Sequence, residues 1–487
     1  MTRTLISIER GSGEPVYQQL RKALEHEIAS GALDPRHPLP SSRALARELG
    51  ISRNTVNTAY QELLAEGFVE AWPRRGLFVN PDMLPYLDRD AEEQDGDASV
   101  DWSRHVRARL DSDLPEIAKV RDWDRYPYPF IAGQVETDSF PRLAWARALR
   151  EALDPPHLHY SLRDGIDEDD PMLVEELCKR VLPTRGIEVD SEQVLVTLGS
   201  QQGLDLLSDT LLSPGDTVAV EDPGYLDARH IFARGGAQLA PMTVDGAGMI
   251  PPKDLNGVDL LYLTPSHHNP TNVTLSIGRR QQLLAMARDS DTLVIEDDYD
   301  SEFRYQGSPT PALKALSGSD RVIYLGTFSK FLAPGLRLGY LVAAPELVRE
   351  LRSQRRYRVR HASGHTQRAM ALLIENGQYH RTIRRRRTNL QRKWHALRDA
   401  LREELPWFAD APPGGVSIWL TGPTGLDCVQ LAERALARGV VIERGDIYFD
   451  DSRRHRHHFR LGFAAIPLES IRPGVRCLRE VLDGVRT

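Results

Sequence analysis

At roughly 150 residues per folding unit, the 487-residue chain has room for about three, and its 41% hydrophobic and 27% charged residues are those of a globular protein. A formal net charge of -7 argues, for the chain as a whole, against the basic footprint of a nucleic-acid binder. Cys178, Cys428 and Cys477 fit no metal or redox spacing, and neither an apolar leader nor a run of the ~20 apolar residues of a membrane helix is present, so the cytoplasm is the expected compartment, with no membrane partner.

In chain order, the first apolar pattern is Tyr17, Leu20, Leu24 and Ile28 on one helical face. Ser41 is placed to cap a second helix carrying Leu45 and Leu49, Gly50 to end it, and Ser52 to cap a third. The third helix turns Val56, Ala59, Tyr60, Leu63 and Leu64 inward and leaves Asn54, Asn57, Thr58 and Gln61 outside. Two short helices across so tight a turn make a helix-turn-helix, whose second helix enters the major groove by its N-terminus. Arg53 and Asn54 stand at that end, and their side chains suit guanine and adenine edges. Phe68–Glu70 and Leu77–Val79 then flank Trp72-Pro73-Arg74-Arg75-Gly76, a hairpin wing with two arginines for phosphates.

With its LPSSRALA and SRNTV…AYQELLAEG motifs, the stretch from Pro15 to Val79 resembles the GntR-type winged helix-turn-helix. The resemblance implies a DNA-binding domain over 12–80. Ser42, Arg43, Arg53, Asn54, Thr55, Asn57, Arg74 and Arg75 would then face a double-stranded operator.

Residues 81–101 carry eight acidic side chains against Arg89, too polar to bury a core, so 81–124 reads as an acidic linker. That stretch alone accounts for a net charge of -7, which leaves the rest of the chain formally neutral. From about residue 125, continuous apolar runs at 194–197, 217–220, 260–263, 293–295 and 322–325 alternate with helical patterns, as in an α/β fold with a buried, mostly parallel sheet. A long basic helical stretch from Gln378 to Leu401 leads into a mixed C-terminal segment, so 125–350 reads as a large part and 351–487 as a smaller one. Within the stretch, Arg384–Arg387 reads as a solvated helix face. His455, His457 and His458 read as a polar loop, with no metal site expected.

Polar residues follow each apolar run, where open α/β sheets bind ligands. They are Gly199-Ser200-Gln201, Tyr225, the His268-Asn269-Pro270 turn, Asp297 with Tyr299, and Thr327-Phe328-Ser329-Lys330 followed by Arg337. A lysine for an aldehyde, an acid for a pyridine nitrogen, a helix N-terminus for a phosphate and an aromatic face together describe a pyridoxal 5'-phosphate pocket.

The GTFSK…PGLRLGY and HHNPT motifs resemble fold-type I aminotransferases over nearly all of 125–487. The resemblance implies that Lys330 carries the cofactor as a Schiff base, Asp297 pairs with the ring nitrogen, Tyr299 and Asn269 bond the phenolic oxygen, and Tyr225 stacks on the ring. Ser200, Gln201, Thr327 and Arg337 would hold the phosphate, Tyr160 would reach that of a partner subunit, and Arg460 would clamp an effector carboxylate. Asn272 stands where the family usually has glycine. Joined in this order, the two halves resemble the MocR/GabR regulators. That implies a head-to-tail homodimer and a transcription regulator in which an amine or amino-acid effector displaces Lys330 as an external aldimine and alters operator binding. The alternative is an active aminotransferase with an accessory DNA-binding module, since the pocket keeps the residues transamination needs. Segment 165–171 is similar to that of members responding to taurine or ectoine-derived compounds.

Overall fold

The computed structural model describes residues 8–9, 13–83, 101–105, 114–117, 119–307, 310–330 and 332–485, so most of the acidic stretch read as a linker lies outside the described residues. The chain divides into two compact units, Met1–Arg109 and Leu110–Thr487.

The first unit has α1 (Val16–Ala29), α2 (Ser42–Leu49), α3 (Arg53–Ala65), β1 (Val69–Trp72) and β2 (Gly76–Val79). The capping residues act as their types require. Ser41 Oγ accepts the Ala44 N–H at 3.3 Å, and Ser52 Oγ accepts the Thr55 N–H at 3.1 Å. Gly50 closes α2 at φ 64°, a backbone state that costs glycine little. Leu20, Leu24, Ile28, Leu45, Val56, Ala59 and Leu63 share one core. β1 and β2 pair antiparallel from Val69↔Val79 to Trp72↔Gly76, forming the wing.

The second unit contains β3 (Tyr128–Pro129), β4 (Val194–Thr197), β5 (Thr217–Asp222), β6 (Gln238–Asp245), β7 (Gly248–Met249), β8 (Leu260–Leu263), β9 (Leu293–Asp298), β10 (Val322–Thr327), β11 (Gly339–Val342), β12 (Ser417–Thr421), β13 (Val440–Val441), β14 (Glu443–Arg444) and β15 (His458–Gly462). Eight of them form a sheet in the order β4-β11-β10-β9-β8-β5-β6-β7. Each of the five apolar runs is a strand, all five parallel, while β11 is wedged antiparallel between β4 and β10. β4, β8 and β10 are buried along their whole length, so every side chain in them is apolar or hydrogen-bonded within the fold. A second, antiparallel sheet β12-β15-β14 belongs to the C-terminal part.

Two expectations change. The linker ends earlier than 124. Leu114 and Ile117 pack against Leu226, Ile447 and Tyr448, and Val120 and Trp123 against Ile131, Val441 and Ala465. The acid count ends at 101, and beyond it apolar residues spaced by three dock the chain onto the larger unit. The basic run is not wholly solvated, because Arg386 is buried and donates to the Leu332 carbonyl at 3.0 Å. Segment 165–171 is tied into the fold by its carboxylates. Asp169 takes Arg352 at 2.8 Å and Arg355 at 2.6 Å, and Asp170 caps the helix Pro171–Glu176 and pairs with Arg368. Among the described residues, no helix is long and apolar enough to cross a membrane.

Candidate cofactor and DNA-contact sites

Parallel strands put their C-terminal ends on one edge, so the loops after β4, β5, β8, β9 and β10 converge. They enclose a cavity of about 440 Å³ lined by Gln201, Tyr225, Asn269, Tyr299, Lys330 and Arg460, among others. Lys330 Nζ lies 6.0 Å from the centre of the Tyr299 ring. Burial, then the positive charges of Lys119 and Arg460, hold its ammonium below the ordinary lysine range.

Asp297 is 3% exposed near the end of β9. Its Oδ2 accepts the Tyr262 hydroxyl of neighbouring β8 at 2.9 Å, while Oδ1 has no partner. Burial pushes this carboxyl up to about 7, against the opposing hydrogen bond from Tyr262. The hydroxyl of buried Tyr299 is likewise without a partner.

Gly199, at φ 88°, begins the helix Ser200–Leu211. A Cβ there would lie 3.3 Å from Arg337 Nη2, so glycine is what lets the guanidinium close over this helix N-terminus. Arg337 holds a left-handed φ of 45° and donates to the Leu198 carbonyl at 2.9 Å. The Thr327 hydroxyl is engaged locally, donating to Leu338 O at 3.5 Å and accepting the Ser329 N–H at 3.2 Å. Ser329 Oγ, two residues on, is buried and has no partner.

Arg460 sits on β15 opposite Glu443 of β14. Its Nε donates to Ser417 Oγ at 2.8 Å, and its Nη1 to the Tyr448 hydroxyl at 3.2 Å and Asn269 Oδ1 at 3.4 Å. Glu443 Oε2 stands 3.6 Å away. Asn272 adopts φ 60°, the state a glycine would take, and its amide donates to Ser417 O at 2.5 Å. Asparagine tolerates that conformation better than other side chains, so the turn survives the replacement. Tyr160 is not among the residues lining the cavity. It packs under Arg368, whose guanidinium carbon lies 4.1 Å from the ring centre.

In the first unit, Arg43, Arg53, Asn54, Asn57, Arg74 and Arg75 are exposed, and Ser42 and Thr55 are half-buried. Arg53 Nε donates to Ser42 Oγ at 3.4 Å, which joins the starts of α2 and α3. The Thr55 hydroxyl is drawn into the cap, 2.8 Å from Ser52 Oγ. Arg75 lies over the Trp72 ring at 5.1 Å, stiffening the wing tip.

The sequence reading missed Tyr262, Ser329, Ser417, Glu443, Tyr448 and Lys119. Ser329 lay within the GTFSK motif. For Lys119, the apolar spacing of Leu114, Ile117 and Val120 was the available signal.

Comparison with known proteins agrees with both units. Residues 16–79 match the family model of bacterial regulatory proteins of the gntR family, and residues 132–478 match aminotransferase class I and II. The chain is 37% identical to the HTH-type transcriptional regulator TauR of Rhodobacter capsulatus, covering 97% of each chain. It is 31% identical to the probable rhizopine catabolism regulatory protein MocR of Rhizobium meliloti, over 98% of this chain and 95% of that one. A kynurenine aminotransferase from Pyrococcus horikoshii superposes with a TM-score of 0.73 at 30% identity, over 79% of this chain and 98% of that one. The chain therefore belongs to the MocR-type transcriptional regulators, DNA-binding proteins that join a GntR-family helix-turn-helix to an aminotransferase class I and II region.

Proposed function

We propose that the larger unit binds pyridoxal 5'-phosphate and senses a primary amine, and that this binding changes how the helix-turn-helix unit engages its operator. The observation that carries the reading is a set of polar atoms without partners on elements around Lys330: Asp297 Oδ1, the Tyr299 hydroxyl and Ser329 Oγ. A buried polar atom without a partner is costly, and each of these suits one part of the cofactor. Asp297 Oδ1 would accept a hydrogen bond from the protonated ring nitrogen, Tyr299 would donate to the phenolic oxygen beside Asn269, and Ser329 would donate to the phosphate. The N-terminus of the helix Ser200–Leu211, with Gln201 and Arg337, supports the same anion, and Tyr225 covers the ring. When bound, the cofactor supplies an aldehyde that condenses with primary amines and a ring that withdraws electrons.

The chain's own residues then divide the work. Lys330, its ammonium depressed, presents a neutral amine more readily than a surface lysine does. Arg460, fixed by Ser417, Tyr448 and Asn269, offers its guanidinium to an effector carboxylate. Arg53 and Asn54 read base edges, while Arg43, Arg74 and Arg75 contact phosphates, with Ser42, Thr55 and Asn57 at the same surface. A homodimer with two reading heads would address a paired operator.

The test is a titration of purified protein with primary amines, following the visible band of the bound cofactor and operator affinity in parallel. Lys330→Ala is expected to lose the band while still binding operator. A band that survives dialysis in that variant would falsify the assignment of Lys330. Steady keto-acid formation from amino donors at ordinary enzyme turnover would replace the regulator with an enzyme.

A further inference from the structure

Four cations line the cavity: Lys119, Arg234, Lys330 and Arg460. Arg234 is paired with Asp205, and Arg460 is shared among Ser417, Tyr448 and Glu443. Lys330 is assigned to the cofactor. Lys119 is different, because among the described residues its ammonium hydrogen-bonds only to the Ala132 carbonyl, at 3.3 Å. Among the described residues no carboxylate lies within ion-pair distance of it. Its position is specific. A Cβ built on Gly133 would lie 2.9 Å from Lys119 Nζ and 3.7 Å from Lys330 Nζ, so both nitrogens face the same small volume. Gly133, at φ 81°, is the residue that leaves this volume open.

An unshared ammonium beside the amine-binding lysine, on a cavity wall, attracts a second anion strongly, because charge-assisted hydrogen bonds strengthen as water is excluded. We propose that Lys119 binds a second acidic group of the effector. The effector class is then a primary amine with two acids, one held by Arg460 and the other by Lys119. The inference rests on the cofactor reading above and deepens it. Lys119 acts here as a specificity-determining residue, supplied by the chain that docks just ahead of β3 rather than by the strand-end loops.

The experiment compares glutamate and aspartate with glutamine and asparagine, which replace the second acid by an amide of equal length. Half-saturating concentrations are read from the bound-cofactor band. The intact chain is expected to favour the diacid by about ten- to hundredfold, the range of a charge-assisted hydrogen bond. In Lys119→Ala the ratio falls to near one, and in Lys119→Arg it is largely retained. A second readout is trypsin cleavage after Lys119, which glutamate should slow more than glutamine. A ratio near one in the intact chain, or a ratio unchanged by Lys119→Ala, overturns the proposal. A protein with no cofactor band at all overturns the cofactor reading along with it, whereas a band that responds to amines regardless of the second acid overturns this inference alone.

Discussion

Asp297 shows how one side chain links stability to ligand binding. Its carboxyl is held up to about 7, and that of Glu221 also to about 7, both chiefly by burial. Each prefers its proton in the folded state, so the stability it confers is fully present below the unfolded value of about 4 and is lost as pH rises through about 7. In cofactor-free protein, Asp297→Asn should flatten the fall in unfolding free energy between about pH 4 and 7 by up to about 1.4 kcal/mol per pH unit. Denaturant melts across that range measure the slope, and Glu221 should leave a residue of it. Tyr262→Phe removes the hydroxyl that bonds Asp297 Oδ2 and should weaken cofactor retention about tenfold, in line with the ~1.5 kcal/mol of one hydrogen bond to a charged group. Equilibrium dialysis reads that change. On the DNA side, Arg53→Ala should cost roughly 1–3 kcal/mol of operator affinity in a gel-shift titration if it reads a guanine. Unchanged affinity would remove it from the interface.

At the scale of elements, α3 depends on its cap. Ser52 Oγ holds both the Thr55 N–H and the Thr55 hydroxyl, so Ser52→Ala should lower stability of the first unit by about 1 kcal/mol, read by thermal melting. Such elements were legible in the sequence because their causes are local: a cap, an apolar stripe, a glycine at a helix end. The five parallel strands were legible for the same reason, each being a continuous apolar run, and so was the position of Lys330, Asp297 and Tyr299 at or just beyond the C-terminal ends of such strands. What lay hidden was relational. Tyr262 sits inside an apolar strand and reads as core until β8 is known to border β9. Ser417, Glu443 and Tyr448 meet Arg460 only because β12, β14 and their neighbours fold around β15, and spacing along the chain reports none of this. Lys119 was absorbed into a linker inferred from charge, although the docking residues on either side of it mark the end of that linker.

At the scale of the molecule, the charge balance changes its meaning. An acidic total coexists with a near-neutral first eighty residues whose exposed arginines occupy α2, the start of α3 and the wing tip. Operator binding should therefore weaken steeply with salt, and removing Arg74 should lower the slope of log affinity against log salt by about 1. An unchanged slope would show that the wing tip does not touch the phosphate backbone.

The insertion of β11 sets a timetable. β4 meets the rest of its sheet only through β11, and Gly199 just after β4 is closed over by Arg337 just before β11. During synthesis β4 emerges long before its partner does, and pairings so distant along the chain are the slow ones to form. A chain that ends before Arg337 has Lys330 yet leaves the N-terminus of the helix Ser200–Leu211 without the guanidinium that closes over it. On the proposed cofactor assignment such a chain would offer the phosphate an incomplete site, so cofactor retention would report that Arg337 and β11 are in place.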